Sequence, residues 1–142
     1  MALDVSAFER LKAVAGERKG EGLARYAEEH EGGPQGLLDE VFANMREVFR
    51  PDKAKGQQAD FQYCIRSGDD EYNYFITVDN GQCQTGRGTV DSPRVTMRVK
   101  LPDFVRLVTG KLNSMQAFLT GKVKISGDTF YATKFEAWFE RP

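Results

Sequence analysis

The stretch from Phe61 to Val90 constrains the fold most, because its turn signals and its side-chain alternation agree on a single register. Around Ser67-Gly68-Asp69-Asp70, setting Arg66 opposite Glu71 also sets Ile65 opposite Tyr72, Tyr63 opposite Tyr74 and Phe61 opposite Ile76. Every large residue of that set then shares one side, and a slip of one position would turn all of them outward. Asn80-Gly81 is the favoured two-residue hairpin turn. It predicts a third strand over Gln82 to Val90, with Cys83 opposite Val78. A meander with one apolar face needs a second layer to cover it.

Helical patterns supply that layer. From Pro34, the residues Leu37, Leu38, Val41, Phe42, Met45, Val48 and Phe49 form an apolar stripe opposite Asp39, Glu40, Arg46 and Glu47, and Pro51 is expected to stop the helix. Residues 1–33 read as a helical extension to a domain spanning 34–142. Val5, Phe8, Leu11 and Ala15 mark one short amphipathic helix, and Leu23, Tyr26 and Ala27 a weaker one before Gly32-Gly33. The extension is expected to pack on the outside of the domain, with a lid or a dimer contact as the alternative.

Beyond the meander, Arg94 to Lys100 alternates Val95, Met97 and Val99 with Thr96, Arg98 and Lys100, which predicts a fourth strand. A helix opens at Pro102-Asp103-Phe104 and ends at Gly110. Asn113, with Gln116 three residues on, approximates a capping box for a short helix in which Met115, Phe118 and Leu119 share a face. Gly121 closes it, and Val123 and Ile125 alternate with Lys122, Lys124 and Ser126 as a fifth strand. Asp128 is expected to cap a last helix carrying Tyr131, Phe135, Trp138 and Phe139.

Asp103-Phe104, Gly110-Lys111-Leu112, Ala117-Phe118 and Gly121-Lys122-Val123-Lys124-Ile125-Ser126-Gly127 stand in a particular order and spacing. In these motifs the chain resembles the SCP2 family, the sterol carrier protein 2 or nonspecific lipid-transfer domain, in its stand-alone, prokaryotic-type form. A looser resemblance runs from about Leu37 to Phe139 and leaves the first thirty or so residues outside. The resemblance implies an SCP2-like α+β fold: a five-stranded mixed β-sheet with helices on one face, enclosing a hydrophobic tunnel. Periodicity alone implies a packed core.

Composition excludes several classes. A 142-residue chain with 40% hydrophobic and 29% charged residues and a net charge of -1 is an ordinary globular domain, and its balance of charge points to no nucleic-acid partner. No apolar run approaches the roughly 20 residues of a membrane span, and no signal-peptide pattern opens the chain. A cytoplasmic location is the expectation. The chain closes on Glu140-Arg141-Pro142 where a peroxisomal address would read Ser-Lys-Leu.

Catalytic groups do not converge. His30 lies among Glu28, Glu29 and Glu31 and reads as a solvated side chain. Cys64 and Cys83 fall on strands separated by another, which argues for free thiols and against a bridge. Gly86-Arg87-Gly88 lacks the third glycine and the following helix of a dinucleotide fingerprint, while Gly110-Lys111 and Gly121-Lys122 lack the rest of a P-loop. Asp69, Asp70 and Glu71 suit a hairpin turn. No catalytic residue, metal site or cofactor is expected.

The resulting expectation is a non-enzymatic carrier that binds and transfers a fatty acid, acyl chain, phospholipid or sterol. Its expected ligand contacts are Tyr63, Tyr74, Phe104, Leu107, Val108, Met115, Phe118, Leu119, Phe135, Trp138 and Phe139, with Arg87, Arg98 or Gln62 as polar anchors at the tunnel mouth. One alternative is an accessory or partner-binding module of a lipid- or polyketide-related enzyme system. Another is a tailoring enzyme acting on an apolar substrate. Arg94 to Lys124 holds seven Lys or Arg against one acid, Asp103, which suits a transient anionic membrane surface or a solvated face. Oligomeric state is left open.

Overall fold

Cross-strand pairing in the structure follows the register that the side chains dictate. The computed structural model describes residues 5–18 and 20–139, with side chains from Glu9 onward, so Val5, Phe8 and the 140–142 tail lie outside the described side chains. Strands β1 (Ala59–Ser67) and β2 (Asp70–Asp79) pair antiparallel with Phe61 opposite Ile76 and Tyr63 opposite Tyr74. Asn80 and Gly81 take φ of 54° and 78°, the left-handed pair that suits strand twist, and lead into β3 (Gln82–Arg87) with Cys83 opposite Val78.

Strand β3 ends at Arg87, short of the expected Val90, because the chain must leave the sheet edge there. Residues 88–94 cross the outer face of the sheet to reach β4 (Val95–Lys100), which lies parallel to β1 on its far side. Gln62 holds the crossing. It sits on the face opposite Phe61 and Tyr63, donates to the Gly88 carbonyl at 3.0 Å and accepts from the Val90 N–H at 2.8 Å. Strand β5 (Val123–Gly127) pairs antiparallel with β4, completing a mixed sheet ordered β3-β2-β1-β4-β5. Gly127 is required at its end: φ is 90°, and a Cβ there would meet the Arg94 carbonyl oxygen at 2.4 Å.

Helices α1 (Val5–Glu17), α2 (Glu21–Glu29), α3 (Gly33–Glu47), α4 (Leu101–Val108), α5 (Ser114–Leu119) and α6 (Thr129–Glu136) complete the chain. Phe42 of α3, Phe104 of α4 and Phe135 of α6 all meet side chains of the same sheet face. The fold is thus α+β with its helices on one side. Leu11, Ala15, Leu23 and Ala27 of α1 and α2 join the same buried cluster as the sheet.

Both capping expectations are met: Asn113 Oδ1 accepts from the Gln116 N–H at 3.0 Å, and Asp128 Oδ1 from the Tyr131 N–H at 3.1 Å. Two helices end earlier than their apolar spacing implies. Helix α3 stops at Glu47, before Pro51, and α6 stops at Glu136, before Trp138. The reason is a long-range pairing, in which Phe49 bridges Phe139 and the Arg50 N–H donates to the Trp138 carbonyl at 2.7 Å.

Candidate apolar ligand site

Strand alternation aims Phe61 and Tyr63 of β1 and Tyr74 of β2 into the layer between sheet and helices, where two aromatic groups form. Phe42 centres the first: its ring stacks on Tyr74 (centroids 4.5 Å apart, 5° between planes) and on Phe104 (5.4 Å, 15°), and meets Tyr63 edge-on at 5.2 Å. Phe61 centres the second, lying 3.6 Å from Phe135 and meeting Trp138 edge-on at 6.2 Å. Phe139 joins through Phe135 at 4.9 Å. Phe61 and Tyr63 are two residues apart on one face, so β1 links the groups.

The polar end of the first group is tied down. Tyr74 Oη donates to Asp39 Oδ1 at 2.6 Å and to the Gln35 carbonyl at 3.1 Å, while Arg87 grips both oxygens of Asp39, with Nε 3.0 Å from Oδ1. The Arg87 hydrogen bond holds the Asp39 carboxyl below the usual aspartate range, against the opposing effect of burial. Burial first, and Asp39 second, push the Tyr74 phenol up; burial does the same to Tyr63. Both phenols are therefore neutral at physiological pH.

Five of the eleven expected contacts are buried in this layer: Tyr63, Tyr74, Phe104, Phe135 and Trp138. Leu107, Val108 and Phe139 are half-buried and pack against its edge. Met115, Phe118 and Leu119 face the other way, with 56%, 41% and 74% of their surface exposed, while Ala117 is fully buried. Their shared face follows from helical spacing, but Ala117 is the residue that α5 turns inward. Phe42 and Phe61, the centres of the two groups, are absent from the expected contacts. Joining the apolar stripe of α3 to the same-face set of the hairpin is the signal that would have found them.

Of the expected polar anchors, Gln62 and Arg98 lie on the face away from the helices; Arg98 Nη1 is 3.7 Å from Cys64 Sγ there. Arg87 alone stands at the helix-side rim. A groove of about 260 Å³ opens beside it, lined by Asp39, Phe42, Ala43, Arg46, Tyr74, Thr85, Gly86 and Arg87. Inside the layer, an apolar void of about 10 Å³ lies among Phe61, Tyr63, Met97, Ala132 and Phe135, room for roughly one water-sized sphere.

The reactive side chains are occupied or suppressed. His30 is half-buried, not solvated, with Nε2 3.1 Å from Glu40 Oε2 and Nδ1 2.8 Å from the Glu31 carbonyl. Cys64 and Cys83 are free thiols on β1 and β3, with β2 between them. Burial pushes the Cys83 thiol up to about 12 and raises Cys64 as well, so neither is a ready thiolate. Among the described residues no cluster of three metal-ligating side chains occurs, and no helix is long and apolar enough to cross a membrane.

A model of the SCP-2 sterol transfer family matches residues 42–140, the stretch from the central ring of the first aromatic group to just past Phe139. The chain belongs to the SCP-2 sterol transfer family. Hydroxysteroid dehydrogenase-like protein 2 of Xenopus tropicalis is 32% identical to it over 100 residues, which cover 70% of this chain and 24% of that protein. The SCP-2 chain thus spans about a quarter of the length of that relative. The crystal structure of SCP2-L2 from Aedes aegypti shares the fold, with a TM-score of 0.62 at 20% identity over 74% of this chain and 98% of that one. The solution structure of palmitated SCP2L2 from the same species aligns with a TM-score of 0.58 at 20% identity, over 71% of this chain and 93% of that one.

Proposed function

We propose that this SCP-2 family chain binds and transfers a hydrophobic small molecule, a fatty acid, acyl chain, phospholipid or sterol, held without covalent bonds between the sheet and the helices. The observation that carries the reading is the pair of aromatic groups around Phe42 and Phe61, which fill the family-matched region with large rings tied to polar partners at their margins, Tyr74 to Asp39 beside Arg87 and Tyr131 to Gln57. Apolar tails would enter by moving those rings apart. Such a tail gains roughly 25 cal/mol for each Å² removed from water, and the displaced rings stay in apolar surroundings. The palmitated relative supports an acyl guest of this kind.

Sites for ligands of that size usually offer about 300–1,000 Å³, so the void near Phe135 must grow on binding. The helices are the natural moving part, because each strand is held by a ladder of hydrogen bonds whereas α3 is tied to the sheet by single bonds from Tyr74 to the Gln35 carbonyl and from Thr85 to the Phe42 carbonyl. Phe42, Phe61, Tyr63, Tyr74, Phe104, Leu107, Val108, Phe135, Trp138 and Phe139 are the proposed ligand contacts. Native mass spectrometry of purified protein, followed by organic extraction, tests the reading. A bound lipid at defined stoichiometry is the expected result; protein that stays ligand-free after incubation with the whole lipid panel would count against a carrier.

A second reading has its own support. The matched relative is far longer than this chain, which favours service as an accessory module beside an enzyme of lipid metabolism. A stable heteromeric partner recovered together with the lipid would mark that role, and the ligand chemistry would be the same.

A further inference from the structure

Helix α5 leaves its three largest side chains in water. Met115, Phe118 and Leu119 stand at i, i+3 and i+4 and are 56%, 41% and 74% exposed, with Ala117 buried on the opposite side of the same helix. Among the described residues nothing buries this face. The segment that carries it has charge of one sign: between Asp103 and Asp128 there is no Asp or Glu, while Arg106, Lys111, Lys122 and Lys124 fall in that interval. The three lysines are exposed. Lys111 precedes α5, Lys122 lies in the turn that follows it, and Lys124 stands on β5 opposite Arg98. An acid from α6, Glu136, accepts from Ser114 Oγ at 2.9 Å at the start of the helix.

We propose that the α5 face docks the protein on an anionic phospholipid surface, with Met115, Phe118 and Leu119 entering the headgroup boundary and Lys111 and Lys122 meeting lipid charge. The inference rests on the carrier reading and adds the partner from which the ligand is taken. Three apolar side chains with cations at the rim match an interfacial element, in which apolar insertion and attraction to anionic lipid add. A second copy of the chain suits the same face poorly. A two-fold contact would set the patch against itself and bring Lys111 and Lys122 against their own counterparts.

Flotation of the full chain with vesicles tests this, using pure phosphatidylcholine against mixtures of phosphatidylcholine and phosphatidylserine. Binding should require phosphatidylserine and weaken with salt. The triple variant Met115→Ser, Phe118→Ser, Leu119→Ser should lose it at least tenfold, and Lys111→Glu with Lys122→Glu by a similar factor, since each cation near such a surface is worth about fivefold. Phe130→Ser is the control, an 85% exposed ring beyond the other end of β5 that should leave binding unchanged. Calorimetric affinity for a fatty acid in the absence of vesicles should be the same for parent and triple variant.

Several results would overturn the docking surface: vesicle binding retained in both variants, Phe130→Ser as damaging as the triple variant, or a dimer of the parent, seen by light scattering, that the triple variant breaks. Loss of fatty-acid affinity in the triple variant would instead make α5 part of the ligand site, and so also overturns it. A parent that binds fatty acid but no vesicle contradicts the docking and leaves the carrier standing. A parent that binds vesicles but no lipid ligand contradicts the carrier alone.

Discussion

Strand β1 and helix α5 carry the same kinds of side chain and treat them in opposite ways. Phe61, Tyr63 and Ile65 are buried, whereas Met115, Phe118 and Leu119 are exposed. In the strand, direction is over-determined: each residue has a cross-strand partner in β2 and another in β4, and one slip would turn the whole apolar set to water. In a six-residue helix, spacing groups residues on a face without saying which way it looks. The side with the small residue can go in. Where the space against β5 admits only Ala117, the larger face must turn out, and apolar exposure becomes available for a partner.

The largest expected effect breaks the comparison at its interior end. Phe61→Ala removes the ring that meets Phe135 and Trp138 and should cost about 3–5 kcal/mol, read as a lower denaturant midpoint in equilibrium unfolding. Ala117→Leu probes the same logic from the helix. If Ala117 is the inward residue, two added branches in a filled space should cost about 1–3 kcal/mol, and a neutral result would mean that α5 has room to rotate. Leu119→Ser is the exterior counterpart, expected within about 0.5 kcal/mol of the parent in the same unfolding assay.

A smaller, pH-dependent effect belongs to the rim. Asp39 is more acidic in the folded protein than its ordinary value of 3.8, so its contribution to stability is fully present above that value and is lost as pH falls through the lower folded value. Asp39→Asn should flatten the stability curve below about pH 4 and leave its shape near neutrality alone, which acid titration of unfolding checks. An unchanged acid limb would mean that the Arg87 pairing does not persist in solution.

Much of the fold was legible because local signals agreed with one another. The Tyr63–Tyr74 register, the Asn80-Gly81 turn and the caps at Asn113 and Asp128 all follow from neighbours within a hairpin or a single helical turn. What escaped depends on contacts far apart in sequence. The early ends of α3 and α6 come from Phe49 meeting Phe139, and the burial of Gln62 comes from a crossing segment that no periodicity describes. The site divides in the same way: strand alternation sends Tyr63 and Tyr74 to the inner face, whereas helical spacing groups Met115, Phe118 and Leu119 without fixing that their shared face is exposed. Phe42 and Phe61 are absent from the expected contacts because each looks like ordinary core until the layers are assembled.

Trp138, the only tryptophan, is buried against Phe61 and Phe135, so its emission reports directly on the layer proposed to open. The decisive measurement is a titration of that emission with fatty acids, phospholipids and sterols, repeated by calorimetry. The carrier account predicts a saturable change with matching affinity in both experiments for at least one apolar ligand. A flat response in both across the panel, from protein shown to be folded, would contradict it and leave the aromatic layer as a closed core.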